Sequence, residues 1–197
     1  MKKVLLLLAN GFEAYEASVF TDVFGWNLYE GDHSTELVSV GLHPVLTCTW
    51  GYDCIPMQQL KDIELSEFDA LAIPSGFEEA NFYEDAFDER FLAVIREFDR
   101  KKKPIAAICV GSLAVAKSGV LKGRKGTTYR FPGNSRQAQM RSLGVQVNAQ
   151  SRIIEDQNII TSSSPETALD VAFRLLEKLT TTQNMLELKT RMGFSTD

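Results

Sequence analysis

The sequence predicts an α/β fold, a mostly parallel sheet with helices on both faces. Three observations carry that expectation. The runs Val4–Ala9, Ala70–Pro74 and Ile105–Cys109 are apolar without polar alternation, as in strands buried on both faces. Amphipathic stretches at helical spacing separate them. Strand and helix signals alternate along most of the chain, which favours crossover units and parallel pairing.

Each element has its own signal. Val4–Ala9 reads as the first buried strand, and Glu13 to about Tyr29 as a helix with Tyr15, Val19, Phe20, Val23, Phe24 and Trp26 at apolar positions. Leu37–Val40 is a second strand. Val45–Ile55 alternates weakly and holds Gly51, the pattern of a hairpin or edge strands. Ala70–Pro74 runs into the turn Pro74-Ser75-Gly76. Glu84–Lys102 predicts one long helix with Phe87, Phe91, Val94, Ile95 and Phe98 on a single face. Strand Ile105–Cys109, helix Ser112–Ser118 and the turn Gly119–Gly126 follow. Arg136–Leu143 predicts a short helix, Val145–Asn148 and Ile159–Ser162 predict strands, and Pro165 opens a last long helix to about Leu179. The polar segment 181–197 has a short helical pattern at Met185, Leu188 and Met192, suited to packing, pairing or fraying.

Composition excludes several classes. The chain has 197 residues, 44% hydrophobic, with a net charge of −5, so one domain with a substantial core is expected over 1–180. The acidic balance argues against nucleic acid and anionic membranes as partners. The basic run Arg100–Lys103 reads as a solvated helix end. Three cysteines, Cys48, Cys54 and Cys109, form no disulfide framework, and a reducing cytoplasm is the expected location. Val4–Ala9 is too short for a signal-peptide core or a membrane span. No phosphate loop, dinucleotide fingerprint or metal-ligand spacing is present, so no cofactor and no metal are expected.

The chemistry-bearing motif is Ala107-Ile-Cys109-Val-Gly111. Small residues two positions either side of a cysteine, at a strand-to-helix junction, are the pattern of a nucleophile elbow with Cys for Ser. Such a turn exposes its central side chain at the carboxyl end of a strand, near backbone N–H groups and a helix start, surroundings expected to favour thiolate. The alternative is a buried, inert cysteine. In parallel sheets, sites form at strand carboxyl ends. Three loops satisfy that rule: Asn10–Glu16, Pro74–Phe77 and Cys109–Ser112.

With these pieces in order, the chain resembles the ThiJ/PfpI family in its DJ-one-like branch, related to the class I glutamine amidotransferases. The matching segments are Leu5–Glu16, Asp69–Gly76, Ala106–Gly111, Gly123–Tyr129 and Ile159–Pro165. The resemblance implies a flavodoxin-like three-layer sandwich, commonly a homodimer, with a reactive cysteine at the elbow. It places the family's buried glutamate at Glu16 and its backbone donors at Gly76 and Val110. A protonated Glu16 could hydrogen-bond the Cys109 sulfur, since burial and a neighbouring anion both raise a carboxyl pKa. Its alternative role, a carboxylate suited to a helix start, fits Glu13 better. Gly76 is either an oxyanion donor, a plain turn glycine, or both. Ser75 departs from the family's Pro-Gly-Gly. Tyr129 stands where many members carry histidine, and Tyr129, Ser112 and Ser75 are read as pocket residues.

Only His33 and His43 occur in the chain, neither in a matching loop, so no Cys-His-acid triad is visible. The leading expectation is cysteine-dependent chemistry on small electrophiles, of the glyoxalase or deglycase kind. The rival is a redox-sensing or protective protein whose Cys109 is oxidised without a dedicated substrate. A protease or amidase ranks last, because Val110 stands where the protease branch has histidine.

Overall fold

The computed structural model describes residues 1–194. In chain order the strands and helices are β1 (Lys2–Leu8), α1 (Ala14–Glu30), β2 (Thr35–Gly41), β3 (Leu46–Thr47), β4 (Asp53–Cys54), β5 (Gln58–Gln59), β6 (Ala70–Ile73), α2 (Phe82–Ala86), α3 (Glu89–Arg100), β7 (Ile105–Ala107), α4 (Gly111–Lys117), β8 (Lys125–Gly126), α5 (Arg136–Ser142), β9 (Gln146–Val147), β10 (Ile153–Asp156), β11 (Ile159–Ser162), α6 (Ala168–Leu179) and α7 (Thr182–Arg191). The main sheet has seven strands in the order β10-β11-β7-β6-β1-β2-β5. All its pairings are parallel except β10 with β11.

The apolar runs explain the centre of this sheet. Val4, Leu5, Leu6 and Leu7 of β1 and all of β6 and β7 are essentially unexposed. A strand covered on both faces needs an apolar side chain at every position, and these have one. Burial of such side chains stabilises by about 1.5–3 kcal/mol each, and the central strands therefore hold the rest in place.

Helix α1 covers the sheet with Val19, Phe20, Val23 and Phe24, all buried, while Tyr15 and Trp26 turn outward. The outward pair corrects the six-residue apolar face expected from the sequence. The long helix expected over Glu84–Lys102 is two helices. Asp88 caps α3 by accepting from the Arg90 N–H at 2.8 Å, and that extended residue ends α2. Three strands were not expected, β5, β8 and β10. The first two are polar two-residue pairings, and β10 is a half-exposed edge.

Helix α7 docks through Asn184, whose amide donates to Asn27 Oδ1 at 2.7 Å and accepts from the Asp32 N–H at 3.1 Å, with Leu188 buried beside it. Residues 195–197 of the expected tail lie outside the described residues. Among the described residues no helix is long and apolar enough to cross a membrane.

The topology puts the three candidate loops together. β1 lies between β2 and β6, so the chain turns one way after β1 and the other way after β6. Ligand crevices of parallel sheets open at such reversals, beyond the carboxyl ends of the strands.

Candidate active site

Cys109 stands at the top of β7 with φ at +51°, a left-handed conformation that costs a non-glycine residue about 1–2 kcal/mol. The residue is held there from both sides. Gly111 N–H donates to Ile108 O at 2.8 Å, and Thr128 Oγ1 donates to Cys109 O at 2.9 Å. Gly111 is required by space, since a Cβ there would lie 2.8 Å from Pro74 O. The elbow expected from the sequence is thus present in its geometry, strain included.

Glu16, in the first turn of α1, is fully buried. Its Oε2 accepts from the Ser75 N–H at 2.6 Å, while Oε1 is buried without a partner. Glu13 caps the same helix, accepting from the Glu16 N–H at 3.0 Å and from Trp50 Nε1 at 3.2 Å, the helix-start role expected of it. Burial pushes the Glu16 carboxyl up to about 8, outweighing the hydrogen bond from the Ser75 N–H, and the nearby Glu13 charge adds to the rise. Glu16 therefore keeps its proton at neutral pH.

Two opposing influences act on the Cys109 thiol. Burial, reinforced by the nearby Glu16, pushes it up. Hydrogen bonds from the Val110 N–H and the Ser75 hydroxyl pull the other way but do not prevail. The physical reason is that α4 has only seven residues and the sulfur is nearly enclosed, so desolvation outweighs a short helix dipole. Cys109 and Glu16 are neighbouring buried acids, and their protons come off as a pair.

A cavity of about 270 Å³ opens above Cys109. Ser75, Gly76, Val110 and Tyr129 line it, as expected, together with Phe77, Glu78, Glu79, Tyr83, Asn134, Arg136 and Pro165. Neither Glu16 nor Ser112 is on its wall. Ser112 is fully buried, and its hydroxyl donates to Ala107 O at 3.2 Å, tying α4 back to β7, so its expected place in the pocket is corrected. The N–H groups of Gly76 and Val110 donate to no backbone carbonyl among the described residues. Tyr129 stacks on Phe131 with ring centroids 6.5 Å apart.

The sequence missed the outer wall. Tyr83 has a buried, unpartnered hydroxyl, and burial pushes its phenol up to about 12. Arg136 lies over its ring at 5.0 Å and pairs with Glu78 at 2.6 Å. Arg136 is far from Glu78 and Tyr83 in sequence, and none of the three belongs to a motif. The one available signal was the closeness of Glu78 and Tyr83 to the Gly76 turn. The histidines lie elsewhere. His33 bonds Leu28 O at 2.7 Å and His43 pairs with Asp85 at 2.9 Å, and neither lines the cavity.

A parallel sheet with a strained cysteine elbow and a buried glutamate beside it is a recognisable class of α/β protein. The chain belongs to the DJ-1/PfpI family, whose model matches residues 2–178. It is 31% identical over 165 residues to a deglycase of Pyrococcus horikoshii, covering 83% of this chain and 90% of that protein. It is 28% identical to the DJ-1alpha protein of Drosophila melanogaster over 184 residues, 90% of this chain and 77% of that one. It also matches DJ-1 homolog B of Arabidopsis thaliana, 26% identical over 94% of this chain, but spans only 40% of that protein's length. Among solved structures, Drosophila melanogaster DJ-1beta superposes with a TM-score of 0.86 at 23% identity over 98% of both chains. Oxidized Toxoplasma gondii DJ-1 superposes at 0.82 and 22% identity, over 99% of this chain and 100% of the other. Both share the flavodoxin-like fold.

Proposed function

We propose that this chain is a cysteine-dependent protein acting on small reactive carbonyls, in a deglycase- or glyoxalase-like manner. The observation that carries the reading is the Cys109 thiol, held in strained backbone on the floor of a cavity and flanked by the N–H groups of Gly76 and Val110, which have no carbonyl partner. The family membership and the deglycase name of the Pyrococcus relative support it. In this reading the sulfur adds to the carbonyl carbon and forms a C–S bond. The carbonyl π pair becomes an alkoxide held by the two N–H groups. Glu16 supplies and takes up protons, and because it is off the cavity wall, it does so through another group.

A second reading keeps Cys109 as an oxidisable protective thiol. The Val110 N–H beside the sulfur, which has no carbonyl partner, favours it, since it would also hold an oxygen of a sulfinic acid. The exposed apolar side chains of the β3–β4 hairpin, Trp50, Tyr52 and Ile55, support the homodimer that the resemblance implies.

The test is conversion of methylglyoxal to lactate, followed by product analysis. The wild-type protein is expected to catalyse it and Cys109→Ser to fall to the rate without protein. A Cys109→Ser protein with full activity contradicts the reading.

A further inference from the structure

Charge is unevenly placed on the cavity wall. Its carboxylates, Glu78 and Glu79, are exposed, and water screens them. Arg136, the cation of the wall, has a side chain only 21% exposed. Three contacts fix its guanidinium. Nη2 donates to Glu78 Oε2 at 2.6 Å, Nη1 donates to Gln139 Oε1 at 3.2 Å, and Cζ lies over the Tyr83 ring, 5.0 Å from its centroid. Tyr83 is itself packed on Phe87, with ring centroids 4.8 Å apart.

We propose that Arg136 anchors a carboxylate on the substrate, so that the carbonyl compounds this cavity takes are 2-oxoaldehydes with a carboxylate at the far end. The guanidinium is a planar fork matched to a carboxylate. Glu78 and Gln139 take one donor each, and the rest of the fork has no acceptor among the described residues. Glu78 holds the place that the substrate carboxylate takes. Its side chain is 66% exposed, and an ion pair so exposed is worth little, so exchanging one carboxylate for another costs little. With Glu78 and Glu79 nearby, the fork suits the single charge of a carboxylate better than the double charge of a phosphate. The cavity, at about 270 Å³, has room beyond a three-carbon carbonyl such as methylglyoxal.

This assignment deepens the proposed carbonyl chemistry and rests on it for turnover. Holding the far end of a substrate restricts how its carbonyl meets the Cys109 sulfur, which both residues share a cavity to allow. Gln139 and Tyr83 keep the fork ordered when Glu78 turns away, so little further ordering is needed on binding. A compound of this class is 4,5-dioxopentanoate. Its aldehyde carbon is oxidised to a carboxylate as the adjacent ketone carbon is reduced to an alcohol. One water is consumed, the product is 2-hydroxyglutarate, and the cysteine is released unchanged.

The experiment compares two alkylating agents at Cys109, anionic iodoacetate and neutral iodoacetamide, in wild type, Arg136→Gln and Glu78→Gln. Both agents react with the same thiolate, so the ratio of their rates cancels any change in how much thiolate is present. The ratio is expected to fall about tenfold in Arg136→Gln and to rise in Glu78→Gln, which frees the fork. In parallel, kcat/KM for 4,5-dioxopentanoate relative to methylglyoxal is expected to move the same way. Alkylation requires no turnover, so the two readings fail separately. If neither carbonyl is consumed while the alkylation ratio moves as stated, the anchor stands and the carbonyl reading falls. A folded Arg136→Gln protein with both wild-type ratios overturns the anchor, as does a Glu78→Gln protein whose ratios do not rise. A wild type that turns over methylglyoxal but not 4,5-dioxopentanoate overturns it too. Should Arg136→Gln fail to fold, Glu78→Gln decides alone.

Discussion

Replacing Glu16 by Gln is expected to stabilise the protein at neutral pH while impairing it chemically. The carboxyl titrates near 4.5 in the unfolded chain and is pushed up to about 8 in the folded one. Between those values the folded state holds a proton that the unfolded state has released. Stability is then fully present below 4.5 and declines as pH rises towards 8. At pH 7 the accumulated cost is about 3 kcal/mol, at 1.36 kcal/mol per pH unit. An amide does not ionise, so the cost disappears in Glu16→Gln. Urea unfolding of both proteins across the acid to mildly alkaline range is expected to give curves that coincide at low pH and diverge by about 2–3 kcal/mol near neutrality, the variant being the more stable. Parallel curves throughout contradict the raised carboxyl. A buried acid kept at such cost is what a stability–activity trade-off predicts at a functional site.

Gly76→Ala has the opposite sign and the largest structural effect. A Cβ at this position would sit 2.2 Å from Gly11 O and 2.3 Å from the Phe82 ring. One neighbour is backbone and the other is a fully enclosed aromatic, so neither yields freely. Overpacking of this kind costs about 3 kcal/mol or more. In a domain of this size each kcal/mol moves Tm by about 2–4 °C, so a drop of about 6–12 °C is expected by thermal unfolding. A variant melting with the wild type contradicts the close approach. Gly76 is required by packing, then, independently of the donor role proposed for its N–H. Loss of activity in this variant alone says nothing about an oxyanion hole.

The fold was legible because its central strands are apolar at every position, and little but a doubly covered parallel sheet accommodates that pattern. Cys109 was legible because the spacing of Ala107 and Gly111 reports a steric demand, which the contact of Gly111 with Pro74 O makes explicit. The break between α2 and α3 was legible in principle, since Asp88 is a capping residue, but the aromatic periodicity running through Phe87 masked it. β5 and β8 gave no signal, being two-residue pairings imposed by tertiary context. The surroundings of the Cys109 thiol were only half legible: the donors and the helix start expected to favour thiolate are there, and the burial that pushes the thiol up is not visible in the sequence. Sequence shows that a helix follows the cysteine, but not that the sulfur is enclosed or that the helix is only seven residues long. The distinction between Ser75, on the cavity wall, and Ser112, behind it, was equally invisible. Ser75 lies in the turn after β6 and Ser112 in the first turn of α4, and nothing in the sequence tells which of them borders the cavity.

The central claim is that Glu16 carries its proton beside Cys109 up to about pH 8. The most direct measurement is the rate of Cys109 alkylation by iodoacetamide in wild type relative to Glu16→Gln, from pH 6 to 10, followed by peptide mass spectrometry. While Glu16 is neutral the two proteins differ only in the strength of one donor, so the ratio is constant. Once Glu16 ionises, its charge suppresses the thiolate in the wild type alone. The predicted ratio is flat at low pH and falls above about 8, approaching tenfold per pH unit. A ratio that stays flat to pH 10 means that Glu16 is already charged throughout, or does not sense the sulfur, and contradicts the account.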